Sequence, residues 1–312
     1  MVTRDSLRAE IEQFDGDLPL DQAWTPPSTW YTEGEVYALE RRSVFRGTWQ
    51  YAARVDQLTE PESFVAGETA GEPWVVVVGE EGTLRAFKNV CRHKATPVAS
   101  GCGKTDTLVC PYHGWTYGLD GRLLTAPDIG GIKDFDPEGL PPLSMEVWGP
   151  LVFIHGGSPG KGPAAEAGPL ADRLDGTDWG GLSWAARKEY TIDCNWKVFC
   201  DNYLDGGYHI ASLHPSLDAQ LDLSSYDTEI LDRASIQTSG AAAEASAEHG
   251  VDGVRRIGEG ALYAFLYPNF MINRYGPALD TNLVLPLGPD RCQVIFDFFF
   301  EKDCEEDFIK DS

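Results

Sequence analysis

The chain has 312 residues, 42% of them hydrophobic, enough for one large domain or two ordinary ones around a packed core. Its net charge is −24, from 49 acids against 25 bases, a field that repels nucleic acid phosphates and anionic lipid. Such a field mildly favours cationic ligands, although acidic surfaces mostly serve solubility. No run of about eighteen apolar residues is present, and the N-terminus MVTRDSLRAEIEQFDGD lacks the apolar core of a secretory signal. The expectation is a cytoplasmic protein with no nucleic-acid or membrane partner.

Residues 1–45 read as a polar, partly helical lead-in packing on the last domain, with WTPPSTWY as an extended joint. From 46 to 155 the text is strand-like. PWVVVVG, a Glu-Glu-Gly turn and TLRAFKNV predict a hairpin, a second turn follows at Leu119-Asp120-Gly121, and LVFIH predicts a closing strand. Residues 156–184 are rich in Gly, Pro and Ala and read as an interdomain connection. From 185 to 312, strands such as ALYAFLYPNFMINRY, TNLVLPLG and CQVIFDFFFEK surround one helix near 195–211. Residues 239–253 are low in complexity and read as a surface loop. Asp303 followed by Glu306 resembles a helix start that has room for only about two turns before Ser312, so the chain reads as cut off there.

Seven cysteines, an odd number in a chain without a secretion signal, argue for reduced thiols or metal ligands rather than disulfides. Cys91-Arg92-His93 and Cys110-Pro111-Tyr112-His113 give Cys-x-His, sixteen residues, then Cys-x-x-His. Two such loops facing each other can hold two metals, with two sulfurs on one side and two nitrogens on the other. That is the ligand set of a Rieske [2Fe–2S] centre, in which imidazoles replace thiolates on one iron and raise its potential. A zinc site from the same four residues is the competing use, but zinc knuckles favour close Cys-Cys pairs and no Cys-x-x-Cys exists here. The flanking text, CRHKATP and CPYHGWTYGLDGRL, also follows the Rieske pattern. Cys102, His155 and His249 read as structural or surface residues.

A second constellation lies in NWKVFCDNYLDGGYHIASLHP. His209 and His214 would diverge by about 140° on a continuous helix. Gly206 and Gly207 loosen the helix before His209, and Pro215 drives His214 out of helical geometry, so the two imidazoles can converge. Two histidines and a carboxylate on one face of a metal form a non-haem Fe(II) site that activates dioxygen. Alone the spacing is weak, and its weight comes from standing downstream of the first motif.

With KVFCDNYLDGGYH, LYAFLYPNFMINRYGP and DTNLVLPLGP beside the metal motifs, the chain resembles the Rieske-type non-haem iron oxygenase α-subunits, most closely their choline-monooxygenase branch. The resemblance implies an α+β protein: an all-β Rieske domain plus an antiparallel-sheet catalytic domain with helices, of helix-grip type. It implies a Rieske [2Fe–2S] cluster at Cys91, His93, Cys110 and His113 and a mononuclear Fe(II) at His209 and His214. Ferredoxin and its reductase would be the electron donors and a homotrimer the assembly, with each cluster feeding a neighbour's iron. Asp205 matches the acidic residue that bridges the two sites, though it stands four residues before His209 where relatives commonly have three; Asp201 and Asn202 are the fallbacks. Asp297, Asp303, Asp307 and Asp311 are present, but none has the context of the family's third iron ligand, which is therefore expected beyond residue 312. The implied reaction hydroxylates choline with O2 at the alcohol carbon to the betaine aldehyde hydrate. Tyr203, Tyr267, Phe270 and Tyr275 are candidates to hold the trimethylammonium group by cation–π attraction. Competing readings are oxidation or N-demethylation of carnitine, glycine betaine or stachydrine, and a non-catalytic electron carrier with a vacant second site.

Overall fold

The computed structural model describes residues 4–19, 21–127, 138–213, 215–242, 258, 260–304 and 309. The side chains of Tyr208, His209, Ala211, Pro215 and Ser216 also fall outside the description. Among the described residues, no helix is long and apolar enough to cross a membrane.

The lead-in folds as helices α1 (Arg4–Gln13), α2 (Thr29–Thr32) and α3 (Gly34–Ser43). In α3, Glu35 sits in the first turn and Arg41 and Arg42 in the last, as the helix dipole prefers. Its buried stripe is Val36 and Glu40, four residues apart.

A seven-stranded antiparallel sheet follows, built from β1 (Trp49–Arg54), β2 (Ser63–Thr69), β3 (Glu72–Val78), β4 (Leu84–Lys88), β5 (Cys102–Lys104), β9 (Pro142–Trp148) and β10 (Leu151–His155). Its order is β1-β10-β9-β4-β3-β2-β5. The predicted hairpin is β3 with β4, where Gly82 at φ +81° turns the chain and Val76 faces Ala86. A three-stranded sheet, β6 (Thr107–Val109), β7 (Thr116–Gly118) and β8 (Leu123–Thr125), includes the predicted turn at Gly121.

The connection is folded rather than loose. Helices α4 (Pro163–Ala167) and α5 (Pro169–Asp175) each start on a proline, whose missing N–H costs nothing at a first helical position. They bury Ala167, Leu170 and Leu174, and Trp179 packs edge-on against Trp148 at 5.0 Å.

The second seven-stranded sheet comprises β11 (Ser183–Ile192), β12 (Leu221–Ile230), β13 (Ala234–Ala241), β14 (Gly260–Leu266), β15 (Phe270–Tyr275), β16 (Ala278–Pro286) and β17 (Cys292–Phe300). Its order is β11-β17-β16-β15-β14-β13-β12. Strand alternation gives this sheet two unlike faces. Ile236, Ala264, Phe270, Ile272, Leu279, Leu283, Ile295 and Phe299 join Trp49, Tyr51 and Phe153 of the first sheet and the α5 leucines in one core. The opposite face receives helix α6 (Trp196–Leu204), through Trp196, Cys200, Phe265, Met271, Val284 and Val294. The Asn195 side chain caps α6, accepting from the Lys197 N–H at 3.1 Å.

The two sheets are also joined by a buried charge. Asp297, fully buried, accepts from Arg187 Nε (3.0 Å) and Nη2 (2.6 Å), Trp184 Nε1 (2.9 Å), Tyr51 Oη (3.1 Å) and Arg54 Nη1 (3.4 Å). Arg54 in turn lies 3.9 Å over the Trp184 ring. The lead-in is fastened similarly: Glu40 accepts from Trp196 Nε1 (2.9 Å) and Lys197 Nζ (2.5 Å), and Tyr31 donates to Asp201 (2.7 Å).

Of the low-complexity stretch, residues 239–241 end β13, while 243–253 lie outside the described residues. The helix expected after Asp303 lies outside them too, apart from Ile309.

Candidate metal centres and substrate pocket

The two Cys/His loops share one backbone template. In the first, the Ala95 N–H donates to the Cys91 carbonyl and the Cys91 N–H to the Thr96 carbonyl, both at 2.9 Å. In the second, Gly114 donates to Cys110 (3.0 Å) and Cys110 to Trp115 (2.8 Å). Each loop closes on a left-handed residue, Ala95 at φ +60° and Gly114 at φ +72°. Buried Asn89 braces the first loop, its Oδ1 accepting from the Val98 (2.8 Å) and Ala99 (3.0 Å) N–H groups while its Nδ2 donates to the Ala99 carbonyl (2.8 Å).

The four side chains sort by type. Cys91 and Cys110 are each 2% exposed, whereas His93 and His113 are exposed, with ring centroids 4.7 Å apart. Buried Trp115 stacks beneath His93 at 5.0 Å and 6°. Among the described residues, no three His, Cys, Asp or Glu side chains converge on one point, as a single ion would require. Paired thiols on the inner side and paired imidazoles on the outer side suit a binuclear cluster with unlike ends. Burial raises the Cys91 pKa, but the Tyr117 hydroxyl and the backbone at His93 outweigh it, so the thiol sits below its ordinary value. The Arg92 N–H donates to Tyr117 Oη (2.9 Å), and the same hydroxyl lies 3.3 Å from Cys91 Sγ, where it donates to the sulfur once that is a thiolate. A thiol so disposed is ready to ligate as thiolate.

At the second constellation, α6 ends at Leu204 with Asp205 as its C-cap, and Gly206 at φ +63° breaks the helix. A 3-10 turn over Gly206–His209 follows, then the short helices α7 (Ile210–Leu213) and α8 (Pro215–Asp218). The φ of Gly206 strains any other residue there, and a Cβ would stand 3.0 Å from Gln237 Oε1, so that amide would also have to give way. The expected loosening before His209 is therefore present; the His209 side chain and all of His214 lie outside the described residues. Asp205 is exposed and, among the described residues, its carboxylate has no hydrogen-bond or ion-pair partner. Of the two fallbacks, Asp201 is held by Tyr31 and Asn202 lines the pocket described next.

That pocket, about 210 Å³, opens between the Gly206–Ile210 segment and the α6 face of the second sheet. Tyr203, Tyr226 and Tyr263 give it aromatic walls, and Asn202, Gln237, Asn273 and Asn282 give it amides. Burial raises the pKa of all three tyrosines, so they are neutral donors at ordinary pH.

Of the four aromatics expected near substrate, Tyr203 lines this pocket and its hydroxyl donates to Asn273 Oδ1 at 2.7 Å. Tyr275 donates to Asp280 Oδ1 at 2.7 Å, beside the pocket. Phe270 does not line this pocket: alternation puts it on the opposite face, packed 4.9 Å from Tyr51 and 5.7 Å from Phe153. Nor does Tyr267, which stands 41% exposed in the turn before Pro268, with Arg233 5.3 Å over its ring. Sequence reading missed Tyr226, Tyr263, Gln237, Asn273 and Asn282. Polar residues at alternate positions of otherwise apolar strands were the available signal.

Residues 48–136 match the Rieske [2Fe–2S] domain family, and residues 181–311 match the ring hydroxylating α-subunit catalytic domain. The chain is 46% identical over 317 residues to the choline monooxygenase, chloroplastic, of Arabidopsis thaliana, covering 97% of this chain and 74% of that protein. It is 32% identical to the carnitine monooxygenase oxygenase subunit of Escherichia coli, covering 66% of this chain and 56% of that one. Among solved structures, a quaternary ammonium Rieske monooxygenase superposes with a TM-score of 0.81 at 26% identity, covering 93% of this chain and 79% of that one. Naphthalene 1,2-dioxygenase from Rhodococcus, at 24% identity, shares the fold with a TM-score of 0.80 over 100% of this chain and 80% of that one. The chain belongs to the Rieske non-haem iron oxygenase α-subunits and is a choline monooxygenase-like oxidoreductase, with a Rieske cluster and a mononuclear iron as its cofactors.

Proposed function

We propose that the protein is a monooxygenase of small quaternary amines whose substrate is choline, converted with O2, two electrons and two protons to betaine aldehyde hydrate and water. The observation that carries this reading is the pocket: three tyrosine rings, four side-chain amides and, among the described residues, no charged side chain in its lining. Tyrosine faces attract a trimethylammonium group without needing it to hydrogen-bond. The amides can orient a hydroxyl. Carnitine and glycine betaine also carry a carboxylate, for which the described lining offers no cation. The 46% identity to a plant choline monooxygenase supports the same choice.

Cys91, His93, Cys110 and His113 would hold the cluster, and His209 and His214 would ligate the iron. When bound, the cluster supplies single electrons and the iron supplies dioxygen activation. Tyr117 stabilises added charge on the Cys91 sulfur by its hydrogen bond. The exposed imidazole edge faces outward, where a ferredoxin or a neighbouring subunit can approach. Asp205, exposed at the end of α6, is suited to bridge to a neighbour's cluster histidine in a homotrimer.

The experiment supplies reduced ferredoxin and O2 to the holoenzyme with choline, carnitine, glycine betaine or stachydrine. Betaine aldehyde from choline, with the other three turned over far more slowly, is the expected result. Formaldehyde release, marking N-demethylation, or preference for a carboxylated amine would overturn the choline reading.

A further inference from the structure

We propose that Asp280 is the fixed anion for the cationic head of the substrate, held one strand behind the pocket wall by Asn273 and Asn282. The inference rests on the quaternary-amine reading above and deepens it by naming the residue that selects for charge.

The position of the carboxylate follows from strand register. Gln237 pairs with Tyr263, Tyr263 with Asn273, and Asn273 with Asp280, so one row of side chains crosses four strands on the α6 face. The first three members of that row line the pocket. Neighbouring strands are about 4.8 Å apart, which sets the carboxylate a single strand beyond Asn273.

Its hydrogen bonding is that of an ion. Asp280 is 7% exposed. Tyr275 Oη donates to Oδ1 at 2.7 Å, and Asn273 Nδ2 (2.7 Å) and Asn282 Nδ2 (3.0 Å) both donate to Oδ2. All three partners donate and, among the described residues, no acceptor faces either oxygen, as the proton of a carboxylic acid would require. Tyr203 continues the chain by donating to Asn273 Oδ1, so the amide dipole is oriented with its N–H toward Asp280. Among the described residues, no lysine, arginine or histidine pairs with this carboxylate. A buried anion that no described cation neutralises is costly to fold, and a cation delivered to the adjoining pocket offsets that cost. The three tyrosine faces alone leave the placement of the anion unexplained.

A purely structural use would have Asp280 tie β15 to β16 by hydrogen bonds, a task asparagine can perform with its Oδ1 accepting from the Asn273 and Asn282 amides and its Nδ2 donating to Tyr275 Oη. Asp280→Asn therefore separates charge from shape. The probes are choline and its neutral carbon isostere, in which a quaternary carbon replaces the nitrogen, with dissociation constants measured on the holoenzyme. The wild type is expected to prefer choline by about tenfold or more. Asp280→Asn should weaken choline on the order of 10- to 100-fold and the isostere by less than about threefold. Wild-type affinities for the two within about threefold would overturn the proposal without any variant. So would equal weakening of both ligands in Asp280→Asn, or no weakening of either. Turnover is read separately: a wild type that distinguishes the two ligands but does not oxidise choline sinks the substrate reading and leaves the role of Asp280 standing.

Discussion

Two aspartates on adjacent strands of one sheet are buried in opposite ways. Asp297 on β17 points toward the first sheet and is met by two arginines, a tryptophan and a tyrosine. Asp280 on β16 points toward α6 and is met by two amides and a phenol. The first is neutralised from within, and its energy goes into fixing two sheets against each other. Among the described residues the second is met by dipoles alone, beside a pocket, which keeps its charge available to a ligand. One face of the sheet is thus an internal joint and the other a binding surface, and strand alternation keeps the two apart.

The largest expected effect lies on the joint. Asp297→Asn leaves Arg54, whose side chain is 8% exposed, without its buried partner. Removing one partner of a buried pair costs about 3–5 kcal/mol, to be read as the shift in unfolding free energy in urea. A loss below about 1 kcal/mol would mean that the two arginines find water or other acceptors, and the joint would lose its meaning.

Next comes an exchange of aromatics across the sheet. Phe270→Ala, in the joint core, should cost about 3–5 kcal/mol of stability and leave the choline KM of the folded fraction within about twofold. Tyr263→Ala, on the pocket face, should raise KM by about tenfold for a lost cation–π wall and cost less stability. The reverse pattern in both variants would place the pocket on the wrong face.

The smallest effect is a pH limb. Burial raises the Asp280 pKa above the ordinary carboxylate value, against the donors Tyr275, Asn273 and Asn282. The titratable groups facing it among the described residues are Tyr203, Tyr263 and Tyr275, the first two raised by burial and neutral. The anion is present above the raised pKa, so kcat/KM for choline should fall as pH drops through it. Tyr275→Phe removes one donor, raises that pKa further and should move the limb to higher pH. An unmoved limb would show that another group controls it.

Much of this was legible in the sequence because local chemistry carries it. The Cys/His loops are read from spacing, and the β3–β4 hairpin from a valine run that ends in a glycine turn. Gly206 announces the end of α6. Other features depend on pairings between distant residues. No local pattern tells that Asp297 meets Arg54, 243 residues earlier. Phe270 and Tyr263 look alike as aromatics in one apolar stretch, and only registry with β14 and β16 assigns them to opposite faces. The Gly-, Pro- and Ala-rich stretch read only as an interdomain connection, and its helices escaped notice because its prolines sit at helix starts, where they do not break the helix. Two tryptophans distant from those prolines, Trp148 and Trp179, supply the packing that holds it.

The most direct test of the two-centre account is electron paramagnetic resonance of the dithionite-reduced protein, anaerobically, with and without nitric oxide, beside an iron count. The account expects a Rieske signal from the cluster at Cys91, His93, Cys110 and His113, a separate ferrous-nitrosyl signal, and about three irons per chain. A Rieske signal with about two irons and no nitrosyl species would contradict it and leave an electron carrier in place of an oxygenase.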